Sequence, residues 1–153
     1  IAGARCLELG AGLGVAGLAA AAAGGAASVV LTDKEEMQPL LRRNIELNGL
    51  SGACRAETLL WGGPPPAEWG AFDVVLAADV VYPTKDPSCL LALRDTILAA
   101  CPEGSAAVLL LAYHQRARED LEFLHGELLP HFDVAVEEAC GPEEGPRPAE
   151  RGA

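Results

Sequence analysis

Positive charge is scarce in this sequence: 11 Lys and Arg stand against 22 Asp and Glu in 153 residues, a formal net charge of -11. Wrapping a nucleic-acid backbone depends on clustered Lys and Arg. Here only Arg42-Arg43 and Arg116 with Arg118 lie close together, and solvated helix faces explain such pairs. Nucleic acid is therefore excluded as a partner, whereas an acidic surface suits a basic protein partner or serves solubility. Five cysteines, Cys6, Cys54, Cys89, Cys101 and Cys140, are odd in number and form no C-x-x-C pair. Most sit in apolar runs and read as small buried hydrophobes in a reducing compartment, not as a disulfide framework. His114, His125 and His131 lack acidic or thiol companions at ligand spacing, so no metal site is expected. Neither a Gly-x-Ser-x-Gly elbow nor a Walker lysine occurs. The stretch from Gly10 to Leu31 lacks charge over 22 residues, but its six glycines and its alanine bulk make it a poor membrane span. No charged segment precedes it, which argues against a signal peptide. The first residue, Ile1, falls just ahead of the first expected strand, as in a chain shorn of a preceding segment.

What is present is a hydrophobic half, enough for one domain with a sizeable core. Arg5 to Leu9 reads as a buried strand, Val15 to Ala23 as a helix stopped by Gly24-Gly25, and Ser28 to Thr32 as a second strand with Asp33 at its end. Glu35 to Asn48 reads as a helix with Leu40, Leu41, Ile45 and Leu47 as its apolar positions. A short strand at Cys54 to Thr58 leads into Leu59-Leu60-Trp61-Gly62 and a proline-rich loop. Phe72 to Ala78 is a buried strand, Pro87 to Ala100 a helix, Ala106 to Tyr113 an apolar strand, Arg116 to Leu129 a helix, and Phe132 to Val136 a candidate last strand. Alternation of strand and helix in units of this length predicts parallel pairing. The domain is expected over 1–136, with 137–153, rich in Glu, Pro and Gly, as a disordered tail.

In open parallel sheets ligands sit beyond the carboxyl ends of the strands, where strand order reverses. The polar residues that stand out fall at such ends: Glu8, Gly10 and Gly12 after the first strand, Asp33 after the second, Trp61 after the third, Asp79 and Tyr82 after the fourth. Gly10-Ala-Gly12-Leu-Gly14 leaves backbone N–H groups facing a cleft. Its spacing is G-x-G-x-G, since Val15 stands where G-x-G-x-x-G needs glycine, which tilts away from a pyrophosphate-binding dehydrogenase. Asp33 suits the vicinal hydroxyls of a ribose, or else caps the helix beginning near Glu35-Glu36. Asp79-Val-Val-Tyr82-Pro83 closes the fourth strand.

Taken together, Leu7-Glu8-Leu-Gly10-Ala-Gly12-Leu-Gly14, Leu31-Thr32-Asp33, Leu59-Leu-Trp61-Gly62 and Phe72 through Ala78-Asp79-Val-Val-Tyr82 resemble the seven-β-strand S-adenosylmethionine-dependent methyltransferases. More narrowly they resemble the methyltransferase-like lysine methyltransferases of non-histone proteins, the Asp-x-x-Tyr tetrad being the most specific part. Tyr113-His-Gln-Arg116 is similar to that family's Tyr-x-x-Arg, without the acidic residue often found inside it. The resemblance implies a Rossmann-like α/β fold of three α-β-α layers, with a mostly parallel sheet of order 3-2-1-4-5 and a partial edge hairpin. It implies S-adenosylmethionine as cofactor: Gly10, Gly12 and Gly14 around its methionine part, Glu8 ordering that loop or reaching the amino group through water, Asp33 on the ribose, Trp61 beside the adenine, and Ala78 leaving room for the sulfonium. Asp79 would dock and align a lysine amine and Tyr82 would wall its slot. The implied partner is a protein substrate such as a chaperone, an ATPase or a translation factor, met by a monomer in the cytoplasm, with the nucleus as a second location. Family members usually carry a lid segment ahead of the first strand and a closing strand hairpin, neither of which is recognisable here. A methyltransferase-fold binding or scaffold module, a small-molecule methyltransferase and a nicotinamide enzyme are the competing readings.

Overall fold

A computed structural model describes residues 1–82, 86 and 88–137. The expected Pro83 turn, most of the loop from Thr84, Cys140 and the tail beyond residue 137 lie outside the described residues. Five strands form one sheet: β1 (Arg5–Leu9), β2 (Ser28–Asp33), β3 (Cys54–Thr58), β4 (Val74–Ala78) and β5 (Val108–Ala112). All pairs are parallel and the order is β3-β2-β1-β4-β5, as expected. Helices α1 (Val15–Ala22), α2 (Gln38–Leu47), α3 (Ser88–Ala100) and α4 (Arg118–Phe123) make the crossovers and the closing turn.

The period-two alternation of strand side chains divides the core into two slabs. Cys6, Val29, Leu31, Val74 and Leu76 face one way and pack with Ala20 of α1 and with Leu41 and Ile45 of α2. Leu7, Leu9, Val30, Val75 and Ala77 face the other way, against Leu93 and Ile97 of α3 and Phe123 of α4. The result is three layers, α-β-α. Because β1 is flanked by β2 on one side and β4 on the other, the strand order reverses there, and a crevice opens beyond the carboxyl tips.

Several expectations are corrected. The helix expected from Glu35 starts as a 3-10 turn at Glu35–Met37 and becomes α-helical only at Gln38, with Pro39 in its first turn. Leu40 and Leu47 of α2 are exposed, and Gln38 takes a buried place instead. The helix expected over Arg116 to Leu129 is α-helical only at Arg118–Phe123, then widens into a π turn at Leu124–Leu128 and tightens at Leu129–His131. Phe132 to Val136 forms no strand, and Val134 and Val136 are exposed, so the partial edge hairpin is not present among the described residues. β5 is consequently an edge strand, with Val108 and Leu110 half exposed. Cys6, Cys54 and Cys101 are buried free thiols, as small apolar side chains would be, whereas Cys89 is exposed; burial pushes the Cys101 thiol up to about 11. Among the described residues no helix is long and apolar enough to cross a membrane.

Candidate active site

The turn between β1 and α1 is shaped by three glycines at positive φ, each for a different reason. Gly10 (φ +62) lets the backbone approach the Trp61 ring: a Cβ there would lie 3.1 Å from Trp61 Cζ2 and 2.9 Å from Val80 Cγ1. Gly12 (φ +55) opens onto free space, and its N–H donates to Asp33 Oδ2 at 2.7 Å. Gly14 (φ +81) turns inward, where a Cβ would meet Leu31 Cδ2 at 2.6 Å. It is a packing position under the loop and does not line the crevice. The Ala11 N–H donates to the Thr32 carbonyl (2.8 Å), so the loop is tied to the end of β2 by backbone as well as by the Asp33 carboxylate.

Glu8 lies beneath this loop, 2% exposed, and Oε2 accepts the Gly17 N–H at 3.0 Å. Desolvation raises the Glu8 carboxyl to about 7, outweighing the backbone N–H groups of Gly17 and Ala16 that favour its charge, with nearby Asp33 adding to the rise. Its role here is to order the loop and the start of α1; it does not face the crevice.

The crevice is a hollow of about 460 Å³, a size suited to a small-molecule ligand. Gly10, Asp33, Trp61, Asp79 and Tyr82 all line it, so five of the residues singled out in the sequence share one cavity. Gly12 and Ala78 border that region without lining it, and Glu8 and Gly14 lie underneath. Asp33 does not act as a side-chain cap for the turn at Glu35–Met37. Its Oδ1 accepts the Lys34 N–H at 2.7 Å, so each oxygen holds one backbone N–H and keeps a lone pair for a hydroxyl. Trp61 is half-buried, with one side on the core that includes Val80 and the other on the hollow. Leu60 and Met37 extend that apolar wall.

Asp79 is the one described non-glycine residue at positive φ (60°), a conformation that costs energy and is kept where the surroundings impose it. Its N–H donates to the Ala112 carbonyl at 2.9 Å, and both carboxylate oxygens accept from Arg116. The Arg116 guanidinium holds the Asp79 carboxyl below the usual carboxylate range, with a smaller pull from His114 in the same direction.

Sequence reasoning missed three positioning contacts. Arg116, noted there as a charge on a helix face and within a Tyr-x-x-Arg pattern, is the partner of Asp79. Buried Thr96 of α3 accepts the Gly62 N–H through Oγ1 at 2.9 Å and so secures the Trp61 turn. Gln38 Nε2 donates to the Glu57 carbonyl at 2.8 Å, tying α2 to the end of β3. Only Arg116 left a signal in the sequence; a buried Thr or Gln is indistinguishable there from a surface one.

A parallel five-stranded sheet in this order, with a hollow at its carboxyl tips, is the architecture of Rossmann-like methyltransferases. The chain superposes on the O-methyltransferase NcsB1 of neocarzinostatin biosynthesis, solved with S-adenosyl-L-homocysteine, with a TM-score of 0.56 and 24% identity, over 70% of this chain and 33% of that one. An O-methyltransferase family 2 protein of Planctomyces limnophilus gives a TM-score of 0.56 at 20% identity, over 72% of this chain and 32% of that one. At these identities the likeness speaks for the fold. The family described as lysine methyltransferase matches residues 1–127, and the chain belongs to it. Among its relatives are protein-lysine N-methyltransferase EFM6 of Saccharomyces cerevisiae, 33% identical over 85% of this chain and 57% of that protein, and EEF1A lysine methyltransferase 3 of Mus musculus, 33% identical over 88% of this chain and 56% of that protein. Protein N-lysine methyltransferase METTL21A of Danio rerio is also 33% identical, over 86% of this chain and 59% of that protein. The chain thus spans little more than half the length of these relatives.

Proposed function

We propose that this chain carries the catalytic domain of an S-adenosylmethionine-dependent protein-lysine methyltransferase acting on a non-histone protein. The observation that carries the reading is the convergence of Gly10, Asp33, Trp61, Asp79 and Tyr82 on one hollow. The donor set fits the cofactor: an aspartate with lone pairs to spare for a diol, an aromatic and aliphatic wall for a purine, and an ionic lining in which Asp33 and Glu36 outnumber Lys34, Asp79 being paired with Arg116, so that a cation is favoured. When bound, S-adenosylmethionine supplies an electrophilic methyl group on a positively charged sulfur.

The residues of the chain then have to bring up a lysine amine with its lone pair free, although an ordinary lysine of pKa about 10.4 is almost wholly protonated near neutrality. Desolvation in the hollow and a neighbouring positive charge both lower that pKa. Tyr82, on the rim of the hollow, walls the slot and limits the angles from which the amine can approach. Asp79 docks and aligns the amine; a carboxylate favours the ammonium form, so it is not the main base. Asp33 and Trp61 hold the cofactor from the opposite side, while Glu8, Gly12 and Gly14 keep the loop between them in shape.

The relatives' names, one of them specifying EEF1A, support a protein substrate of the translation-factor kind. We place the domain at 1–136 and its work in the cytoplasm, as a monomer. Two measurements test the reading. Calorimetric titration is expected to show binding of S-adenosylmethionine and none of NAD. Transfer of labelled methyl into the proteins of a cell extract is expected from the chain and not from Asp79→Ala; labelling equal in the two would overturn the assignment.

A further inference from the structure

Asp79 and Arg116 are 37 residues apart, and the contacts around them fix direction as well as distance. Arg116 Nη1 donates to Asp79 Oδ1 at 2.6 Å and Nη2 to Oδ2 at 2.8 Å, the two-pronged geometry that suits a planar guanidinium and a carboxylate. Each end is anchored independently. The Asp79 backbone is held to β5 through Ala112, and wholly buried Asp120 in the first turn of α4 accepts the N–H groups of Arg116 and Ala117 at 3.0 and 2.9 Å. Asp79 lines the hollow and Arg116 does not. Arg116 therefore grips both carboxylate oxygens from outside the lining of the hollow, and an arriving donor meets the lone pairs left at the sides of the carboxylate.

This arrangement bears on a conflict in the proposed chemistry. A bare carboxylate beside the target lysine attracts it but also stabilises its ammonium form, by one to three pKa units at about 4–6 Å. We propose that Arg116 is a positioning residue for the transfer: it fixes the plane of the Asp79 carboxylate at the edge of the hollow and offsets the negative charge that would keep the amine protonated. The inference rests on the lysine-methyltransferase reading above and deepens it. The other charged groups facing the pair are accounted for. Asp120 turns one oxygen to backbone N–H groups, His114 pulls on Asp79 in the same sense as Arg116, and burial holds the Tyr113 phenol in its neutral form. Across the hollow, Lys34 stands against Glu36 and Asp33.

The test compares the full chain with Arg116→Gln and Arg116→Lys, following labelled methyl transfer into cell-extract proteins across the neutral and alkaline range. In Arg116→Gln the midpoint of the acidic limb is expected to rise by about one pH unit, with cofactor binding by calorimetry unchanged. Arg116→Lys restores most of that shift. Asp79→Asn, whatever its rate, moves the midpoint the other way. Independently of turnover, a carboxyl 13C NMR titration is expected to show the Asp79 midpoint climbing in Arg116→Gln. A uniformly lower rate with an unmoved midpoint, or an Asp79 titration that ignores Arg116→Gln, overturns the proposal. If Arg116→Gln fails to fold, Arg116→Ala takes its place, and an Asp79 carboxyl midpoint that does not climb there overturns the proposal. A wild-type chain that labels nothing while Asp79 still titrates low would sink the methyltransferase reading and this role with it, leaving a structural ion pair.

Discussion

At the tips of β1 and β2 the functional groups are claimed by backbone. Gly12 N–H is on Asp33, Gly17 N–H on Glu8, and Ala11 N–H on the Thr32 carbonyl, with Glu8 and Thr32 shut away from water. At the tips of β4 and β5 the corresponding place is held by side chains in contact with water: the Asp79 and Arg116 side chains are 61% and 38% exposed, and Asp79 is in a strained conformation. Buried bonds in a low-dielectric setting are costly to rearrange, whereas exposed ion pairs exchange partners readily. The first half is thus held rigid by buried backbone bonds, and the second is left open to water and to exchange of partners.

That contrast can be broken most severely at Gly14. Alanine there faces both a positive φ and a Cβ 2.6 Å from Leu31 Cδ2, and a loss of about 4 kcal/mol is expected. A urea midpoint that hardly moved would show the loop to be less tightly packed than described. Next comes Glu8, whose folded carboxyl titrates at about 7 against an ordinary 4.5. A raised carboxyl favours folding fully below about 4.5 and loses that contribution as pH rises through about 7, so the wild type should lose about 3 kcal/mol relative to Glu8→Gln between acid and mildly alkaline solution. Parallel stability curves for the two would refute the burial of that charge.

Trp61→Ala sharpens the comparison on the ligand side. Stacking on an aromatic ring contributes about 1–3 kcal/mol per base, so calorimetry should record S-adenosylmethionine binding weaker by roughly ten- to a hundredfold. Smallest in stability is Asp79→Gly, which relieves the backbone and removes only an exposed pair. A slight rise in thermal midpoint is expected, together with loss of methyl transfer, the exchange of stability for activity that a strained reactive residue implies.

How far the sequence carried these conclusions follows from where each signal resides. Continuous apolar runs such as Ser28 to Thr32, spaced by helices, specify a parallel sheet with little ambiguity, and the tips of such strands are then fixed. That is why Asp33, Trp61 and Asp79 could be placed in one neighbourhood before any coordinates. Phe132 to Val136 had the alternation of a strand, but alternation does not supply a partner edge, and none of the described residues pairs there. Within α2, the apolar character of Leu40 and Leu47 does not give their angular position; Gln38 shares the inner face with Leu41 and Ile45, at helical spacing, and the two leucines are exposed. The Asp79–Arg116 contact depends on how two loops meet in space, which local pattern does not encode.

Helix α3 touches both halves of the hollow. It reaches the cavity with Cys89 and Ala92, and through Thr96 it bolts down the turn that carries Trp61. The helix therefore works as a strut between the doorway and the aromatic wall. One helix thereby fixes the spacing between the Cys89 side of the hollow and the Trp61 turn.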